Sequence, residues 1–123
     1  MIHGVVYTHA DLGMAFCEAI ESMMGPQQGL VGMSNQGLSS EGMLAALEEA
    51  VGAGADGAIV FTALHGGSCW QTAERLSRQR LNVQHLTGVN LPMLLAFINK
   101  RESTELESLA EALTEYGCRG IKT

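Results

Sequence analysis

Basic residues are scarce in this sequence of 123 residues. Seven Lys and Arg stand against thirteen Asp and Glu, which gives a formal net charge of -6. The basic residues are scattered, so no positive stripe is available to neutralise a nucleic-acid backbone. An anionic membrane surface would repel the chain on balance. The composition therefore excludes the usual nucleic-acid-binding and membrane-surface classes of protein.

Cysteine and long apolar runs are scarce as well. The three cysteines lie far apart and have no CxxC spacing, which speaks against a disulfide framework and against a zinc knuckle. The longest apolar run, Leu91–Ile98, is too short to cross a bilayer and contains a proline. No signal-peptide pattern is visible. We expect a cytoplasmic protein without membrane insertion, folded as a single domain over residues 1–123.

What the sequence does contain is an alternation of strand and helix patterns. Apolar stretches predict strands around residues 2–8, 29–35, 57–64 and 83–87, and helical apolar spacing separates them. This alternation is typical of a parallel sheet with right-handed crossovers. We predict an α/β three-layer sandwich with helices on both faces of a mainly parallel, four-stranded sheet of order 2-1-3-4. Gly117 is expected to end the last helix, before a short C-terminal edge strand.

Two loops of this predicted sheet carry residues suited to chemistry. Ligands of such sheets bind beyond the carboxyl ends of the strands, where the strand order reverses. The loop after the first strand holds Thr8, His9 and Asp11, and the loop after the third strand holds His65, Gly66, Gly67 and Ser68.

His9 is the main candidate, because an imidazole titrates near neutral pH and can serve as a base, a metal ligand or a phosphoryl acceptor. The two glycines leave backbone N–H groups free to approach an anion. Ser68 opens a helix whose N-terminus carries partial positive charge. This combination would suit a phosphoryl group held against His9.

Structural roles are the alternative for the same residues. Thr8 and Asp11 are also suited to cap a helix, which leaves His9 as a polar loop residue. Ser68 and Gln71 have the spacing of a capping box. A metal site that joins His9 to His65 is disfavoured, since these ligands lack helical spacing. We expect no metal and no cofactor.

Three segments, in this order, resemble the mannose-family IIA component of the bacterial sugar phosphotransferase system. They are GVVYTHADLGMAF, GAIVFTALHGGSCWQTAERL and LTGVNLPMLLAFINKR. The family has a first strand that ends in Thr-His or Ser-His, a third strand that runs into Gly-Gly-Ser, and a Gly-Val-Asn-Leu/Ile-Pro-Met segment. The final GCRGIKT is similar to the family's C-terminal strand.

The resemblance implies that His9 accepts a phosphoryl group from the phosphorylated carrier HPr and passes it to a IIB component. Gly66, Gly67 and Ser68 would hold the phosphoryl oxygens, and Asn90 would border the site. The resemblance also implies a homodimer that exchanges the last strand. The charged content of 16% fits such a dimer, because a chain this poor in charge must cover much of its surface.

One departure from the family pattern bears directly on the chemistry. The family has an aspartate three residues ahead of the first glycine, where this chain has Ala63. A carboxylate there would orient the imidazole and stabilise its positive form, so its loss should weaken transfer. Asp11 and Thr62 are candidate substitutes, and His65 replaces a bulky apolar residue. A regulatory module with impaired transfer is therefore one alternative. A related IIA-like domain that serves a dihydroxyacetone kinase is another.

Overall fold

Strands and helices alternate along the chain in the predicted order. The structure, a computed structural model, describes residues 1–123. The strands are β1 (His3–Thr8), β2 (Leu30–Ser34), β3 (Ala58–Thr62) and β4 (Val83–Thr87). The helices are α1 (Leu12–Met24), α2 (Ser40–Val51), α3 (Ser68–Gln79), α4 (Leu91–Lys100) and α5 (Leu106–Arg119).

All four strands pair in parallel, and their order is β2-β1-β3-β4. This confirms the predicted parallel sheet of order 2-1-3-4. In the register of the two central strands, Tyr7 lies opposite Thr62, and on the other side of β1, Thr8 lies opposite Ser34. The carboxyl ends of β2, β1 and β3 therefore meet at one edge of the sheet, and the loops that follow them start side by side.

Two hydrophobic cores cover the two faces of the sheet. One core contains residues of α1, α4 and α5, and the other contains residues of α2 and α3. Alternate residues of β3 enter the two cores: Phe61 faces the first and Val60 faces the second. Phe61 packs edge-on against Phe97, with the two ring centroids 5.4 Å apart. A strand buried on both faces is mostly apolar, which explains the continuous apolar run Ala58–Phe61 in β3.

The glycine that interrupts β2 permits a close approach of α1 to the sheet. A Cβ atom at Gly32 would stand 2.5 Å from the carbonyl carbon and oxygen of Gly13, in the first turn of α1. A Cβ atom at Gly13 would stand 2.3 Å from the carbonyl oxygen of Val6. The helix therefore lies directly on the backbone of β1 and β2. The residue that weakens the strand pattern in the sequence is the one that this contact requires.

The expected C-terminal strand is wrong for this chain. Helix α5 continues to Arg119, and the last three residues have no regular structure and are exposed. Gly117 does not end the helix, because it lies inside α5, where a Cβ atom would stand 2.9 Å from the Cε methyl of Met93 in α4. Leu109 and Leu113 carry the buried stripe toward this contact. Packing of α5 against α4 thus extends the helix through a residue that resembles a stop signal.

Arg101, just after α4, anchors the opposite edge of the sheet. Its buried guanidinium donates hydrogen bonds to the carbonyl oxygen of Gln28 at 2.6 Å and to those of Ile2 and Gly29 at 3.4 Å. Burial lowers the pKa of this guanidinium. The residue joins α4 to the amino ends of β1 and β2. No helix combines the length and the apolar character that a membrane crossing requires.

The close approach at Gly32 makes a testable prediction. Gly32→Ala should lower the free energy of unfolding by about 3 kcal/mol or more, because the new methyl group would meet the rigid backbone of α1 at Gly13 and Met14. Urea unfolding followed by circular dichroism measures the change. Gly54→Ala is the matched control, since a Cβ atom at Gly54 meets nothing within 4 Å. Equal effects of the two substitutions would contradict this account of α1 packing.

Candidate functional site

His9 and the Gly66–Gly67 turn lie against each other at the carboxyl ends of β1 and β3. His9 is exposed and directly follows β1. A Cβ atom at Gly67 would stand 3.1 Å from Cε1 and 3.7 Å from Nε2 of His9. The distal edge of the imidazole therefore faces the backbone of the turn. The structure brings together the histidine and the glycines that the sequence placed on two separate loops.

The loop that carries His9 is held by Thr8. The buried Thr8 Oγ1 accepts a hydrogen bond of 2.6 Å from the backbone N–H of Gly13 in α1, which confirms its predicted capping role. Asp11 occupies the N-cap position of α1, but its side chain makes no capping bond. Ala10 has a φ of 52°, in the left-handed region that residues with a side chain rarely adopt. A tight, strained turn thus follows His9 directly.

The second loop presents the start of α3 to His9. Gly66 has a φ of 92°, which favours glycine, and Gly67 is the N-cap residue. Ser68 is the first helical residue, and no side chain caps α3, so the predicted capping box of Ser68 with Gln71 is wrong. The first N–H groups of α3 therefore have no side-chain acceptor. With the helix dipole, they form an arrangement that attracts an anion.

Asn35 is a third contributor, which the sequence reasoning missed. It directly follows β2, and its backbone N–H donates to the carbonyl oxygen of Thr8 at 3.2 Å. Its side-chain Nδ2 donates to Ser68 Oγ, also at 3.2 Å. The available signal was its position, because β2 ends at the same edge of the sheet as β1 and β3.

The side chain of Thr62 forms hydrogen bonds within a buried polar network and none to His9. Its Oγ1 lies 2.7 Å from Nε2 of His85 and 3.1 Å from Oγ1 of Thr87. Nδ1 of His85 lies 2.7 Å from Oε1 of Glu74 in α3. Thr62 is fully buried, and the His85 side chain is 2% exposed. The network therefore ties β3, β4 and α3 together below the glycine turn.

No side chain orients His9 by a hydrogen bond. Neither Asp11 nor Thr62 bonds to the imidazole, although the sequence made both of them candidates for that role. Ala63 is partly buried against the core that contains α1, α4 and α5, and it offers no polar group. The contacts of His9 are thus with the backbone of the glycine turn, and a carboxylate partner is absent.

Two further predicted site residues have structural contacts of their own. The exposed His65 packs against Trp70 of α3 with ring centroids 4.4 Å apart and ring planes tilted by 49°. Asn90 caps α4 by accepting from the backbone N–H of Met93 at 3.0 Å, and it donates to the carbonyl oxygen of Gly117 at 2.9 Å. Asn90 therefore holds α4 and α5 together.

His9 is exposed at the surface. A small cavity of about 140 Å³ borders Ser68, and a cavity of about 460 Å³ lies at the opposite edge of the sheet, beside Met1, Asp56 and Arg101. No three His, Cys, Asp or Glu side chains are grouped closely enough to hold a metal ion. An exposed histidine on an open surface is accessible to a large partner as well as to a small molecule.

These features define a small parallel α/β protein with an exposed histidine set against a glycine turn at the carboxyl ends of its strands. Residues 4–114 match the model of the EIIA-man family, described as the PTS system fructose IIA component. The chain therefore belongs to the fructose- and mannose-type IIA components of the phosphotransferase system (PTS). The mannose-family resemblance seen in the sequence is thereby confirmed.

Solved structures of the same kind share the fold. The phosphotransferase system component EIIA from Streptococcus agalactiae is 25% identical with a TM-score of 0.92, and the match covers 100% of this chain and 97% of that one. The mannose/sorbose specific IIA subunit from Enterococcus faecalis is 19% identical with a TM-score of 0.78, over 99% and 93% of the two chains. The PTS IIA protein associated with the fucose utilization operon from Streptococcus pneumoniae is 18% identical with a TM-score of 0.84, over 98% and 91%. Comparison with curated protein sequences gives no significant match.

The buried His85 predicts a loss of stability in acid. Burial lowers its pKa from 6.5, and nearby His65 lowers it further, while Glu74 opposes the shift. The unfolded chain therefore binds this proton at a higher pH than the folded chain does. Stability from this group is complete above pH 6.5 and is lost as the pH falls toward the folded-state pKa.

Urea unfolding at about pH 7.5 and about pH 5.5 tests this effect. The wild type should lose more stability between the two conditions than His85→Gln, whose side chain takes up no proton. His65→Gln is the matched control, because that histidine is exposed and should leave most of the pH dependence in place. An unchanged dependence in His85→Gln would assign the acid effect to other groups.

Proposed function

We propose that this chain is a phosphocarrier in which His9 accepts a phosphoryl group from phosphorylated HPr and passes it to a IIB component. The P–N bond of the phosphorylated carrier breaks as a P–N bond to His9 forms, and the second bond breaks in the next transfer. The observation that carries the proposal is the contact between the distal edge of His9 and the backbone at Gly67. Membership of the IIA family supports it.

The surroundings of His9 suit the charge that this step brings to the site. A phosphoryl group on Nε2 would lie beside the Gly66–Gly67 turn and the first turn of α3. The N–H groups and the helix dipole favour negative charge there. The hydroxyl of Ser68, at the first position of α3, adds a donor for a phosphoryl oxygen. The open surface leaves room for a protein partner that carries its own histidine.

The proposal extends to the organisation of the protein. We expect residues 1–123 to act as a single domain in the cytoplasm and to form a homodimer. Support for association comes from the low charged content of 16% and from exposed apolar side chains near the C-terminus, where Ile121 is 79% exposed. Helix α5 ends at Arg119, and residues 120–123 lie outside it.

Labelling with phosphoenolpyruvate, enzyme I and HPr tests the proposed function. The wild type should gain one acid-labile phosphoryl group in the intact mass, and His9→Ala should gain none, because its side chain offers no nucleophile. His3→Gln is the matched control, since His3 lies at the opposite end of β1 and should be labelled normally. Absence of label on the wild type with its cognate HPr would refute the phosphocarrier function.

A regulatory module with slow transfer is the second candidate function. The observation that favours it is Ala63, which stands where the family has a carboxylate, together with the lack of any side-chain hydrogen bond to His9. An imidazole that lacks a hydrogen-bonded carboxylate samples more orientations. Its positively charged form also lacks the stabilisation that a neighbouring carboxylate would provide. A slowly labelled protein would report the phosphorylation state of the system instead of feeding a permease.

Restoring the carboxylate distinguishes the two functions. Ala63→Asp should accelerate phosphorylation of His9 about tenfold, the size of one charge-assisted hydrogen bond. Ala63→Asn is the matched control, because it has nearly the same shape without the charge. The initial rate of the mass increase under limiting HPr measures the effect. Equal rates for the two variants would show that the missing carboxylate does not limit transfer, and would remove the reason for the regulatory function.

A further inference from the structure

We propose that Asn35 is a positioning residue for phosphoryl transfer: its side chain holds the Ser68 hydroxyl so that the hydroxyl hydrogen is directed to the phosphoryl group on His9. This inference rests on the proposed function of His9 as a phosphoryl acceptor. Asn35 makes no hydrogen bond to His9. It would therefore influence the transfer only through its hydrogen bond to Ser68.

Two hydrogen bonds place Asn35 between the two parts of the site. Its backbone N–H donates to the carbonyl oxygen of Thr8, the residue before His9, at 3.2 Å. Its Nδ2 donates to Ser68 Oγ at 3.2 Å, across a sequence separation of 33 residues. One residue thus links the strand end that carries His9 to the helix start that carries Ser68.

The hydrogen-bonding capacity of the hydroxyl gives this link its consequence. A serine hydroxyl has one hydrogen to donate and two lone pairs that accept. The amide N–H of Asn35 occupies one lone pair of Ser68 Oγ, so the hydrogen of Ser68 points elsewhere. A phosphoryl group on His9 supplies three strong acceptor oxygens at the start of α3. The amide therefore prepares the hydroxyl as a donor before the phosphoryl group arrives.

Anchoring of the loop does not account for the side chain of Asn35. The backbone bond to Thr8 already fixes the end of β2, and it does not involve the side chain. Gln36 donates its backbone N–H to Ser34 Oγ at 3.1 Å, and Leu38 donates to the carbonyl oxygen of Asn35 at 3.4 Å. The loop is thus held by bonds that do not involve the amide group. The amide instead meets Ser68 at an exposed position, where the incoming phosphoryl group would arrive.

Two substitutions of Asn35 separate the orientation of Ser68 from simple loss of a contact. Asn35→Ala removes the donor and should slow phosphorylation of His9 about fivefold, the value of one neutral hydrogen bond. Asn35→Asp keeps the shape but offers only acceptors. It should slow the reaction further, because a carboxylate would draw the Ser68 hydrogen to itself and repel the phosphoryl group.

The experiment measures initial rates of His9 phosphorylation against HPr concentration for both Asn35 variants, for Ser68→Ala and for the double variant Asn35→Ala with Ser68→Ala. Gln36→Ala is the matched control in the same loop. We expect lower maximal rates with an unchanged KM for HPr, and no additional effect of Asn35→Ala once Ser68 is alanine. Urea unfolding midpoints of the variants should equal that of the wild type.

The results that would contradict the positioning role of Asn35 differ from the result that would contradict the phosphocarrier function. Normal rates in Asn35→Ala, or an equal slowing with and without the Ser68 hydroxyl, would refute the positioning role while the phosphocarrier function stands. A raised KM with an unchanged maximal rate would make Asn35 a contact for HPr and would also refute it. If the wild type takes up no phosphoryl group, the proposed function fails and the positioning role fails with it.

Discussion

Parallel pairing of β1 with both β2 and β3 is the constraint on which the rest of the site depends. Because the three strands run in the same direction, their carboxyl ends reach one edge of the sheet together. His9 follows β1, the glycine turn follows β3 and Asn35 follows β2. No one of these loops contains the site. The register of the sheet brings them within contact, and a slip of β1 by one residue would exchange the faces of its side chains and separate them.

Glycines permit the closest contacts in this molecule, because they have no side chain. Gly13 and Gly32 let α1 lie on the backbone of the sheet, which brings the start of α1 close to the end of β1. Gly67 lets the imidazole of His9 approach the backbone at the start of α3. At Gly13 and Gly32 the neighbouring atoms include backbone of the adjoining element, which cannot move aside. At Gly67 the neighbour is the imidazole of His9, and a Cβ atom there would press against that ring.

The polar side chains near the site divide into two sets with different roles. His85 bridges Thr62 and Glu74 by hydrogen bonds, with Thr62 and His85 buried and the Glu74 side chain 29% exposed, so the three residues join β3, β4 and α3. Asn35 and Ser68 meet at the surface, and their hydrogen-bonding capacity is not exhausted by each other. His9 has no side-chain partner at all. The structure thus keeps its strongest polar contacts in the framework and leaves the groups beside the histidine free to interact with an incoming anion.

Much of the fold follows from the sequence by itself. The alternation of buried strands with amphipathic helices determines the element order and the parallel sheet, because a strand covered on both faces is mostly apolar, as residues Ala58–Phe61 of β3 are. The Thr8-His9 step and the Gly66–Gly67 turn are also visible as residues at strand ends. Only the tertiary structure decided the rest. Gly117 reads as a helix stop, yet packing on Met93 carries α5 past it. Asn35 has no local signature, since its two partners, Thr8 at the end of β1 and Ser68 at the start of α3, are distant in the sequence. The partners of Thr62 could not be read locally either, because a hydroxyl bonds to whichever group the folded sheet places beside it, and here that group is His85.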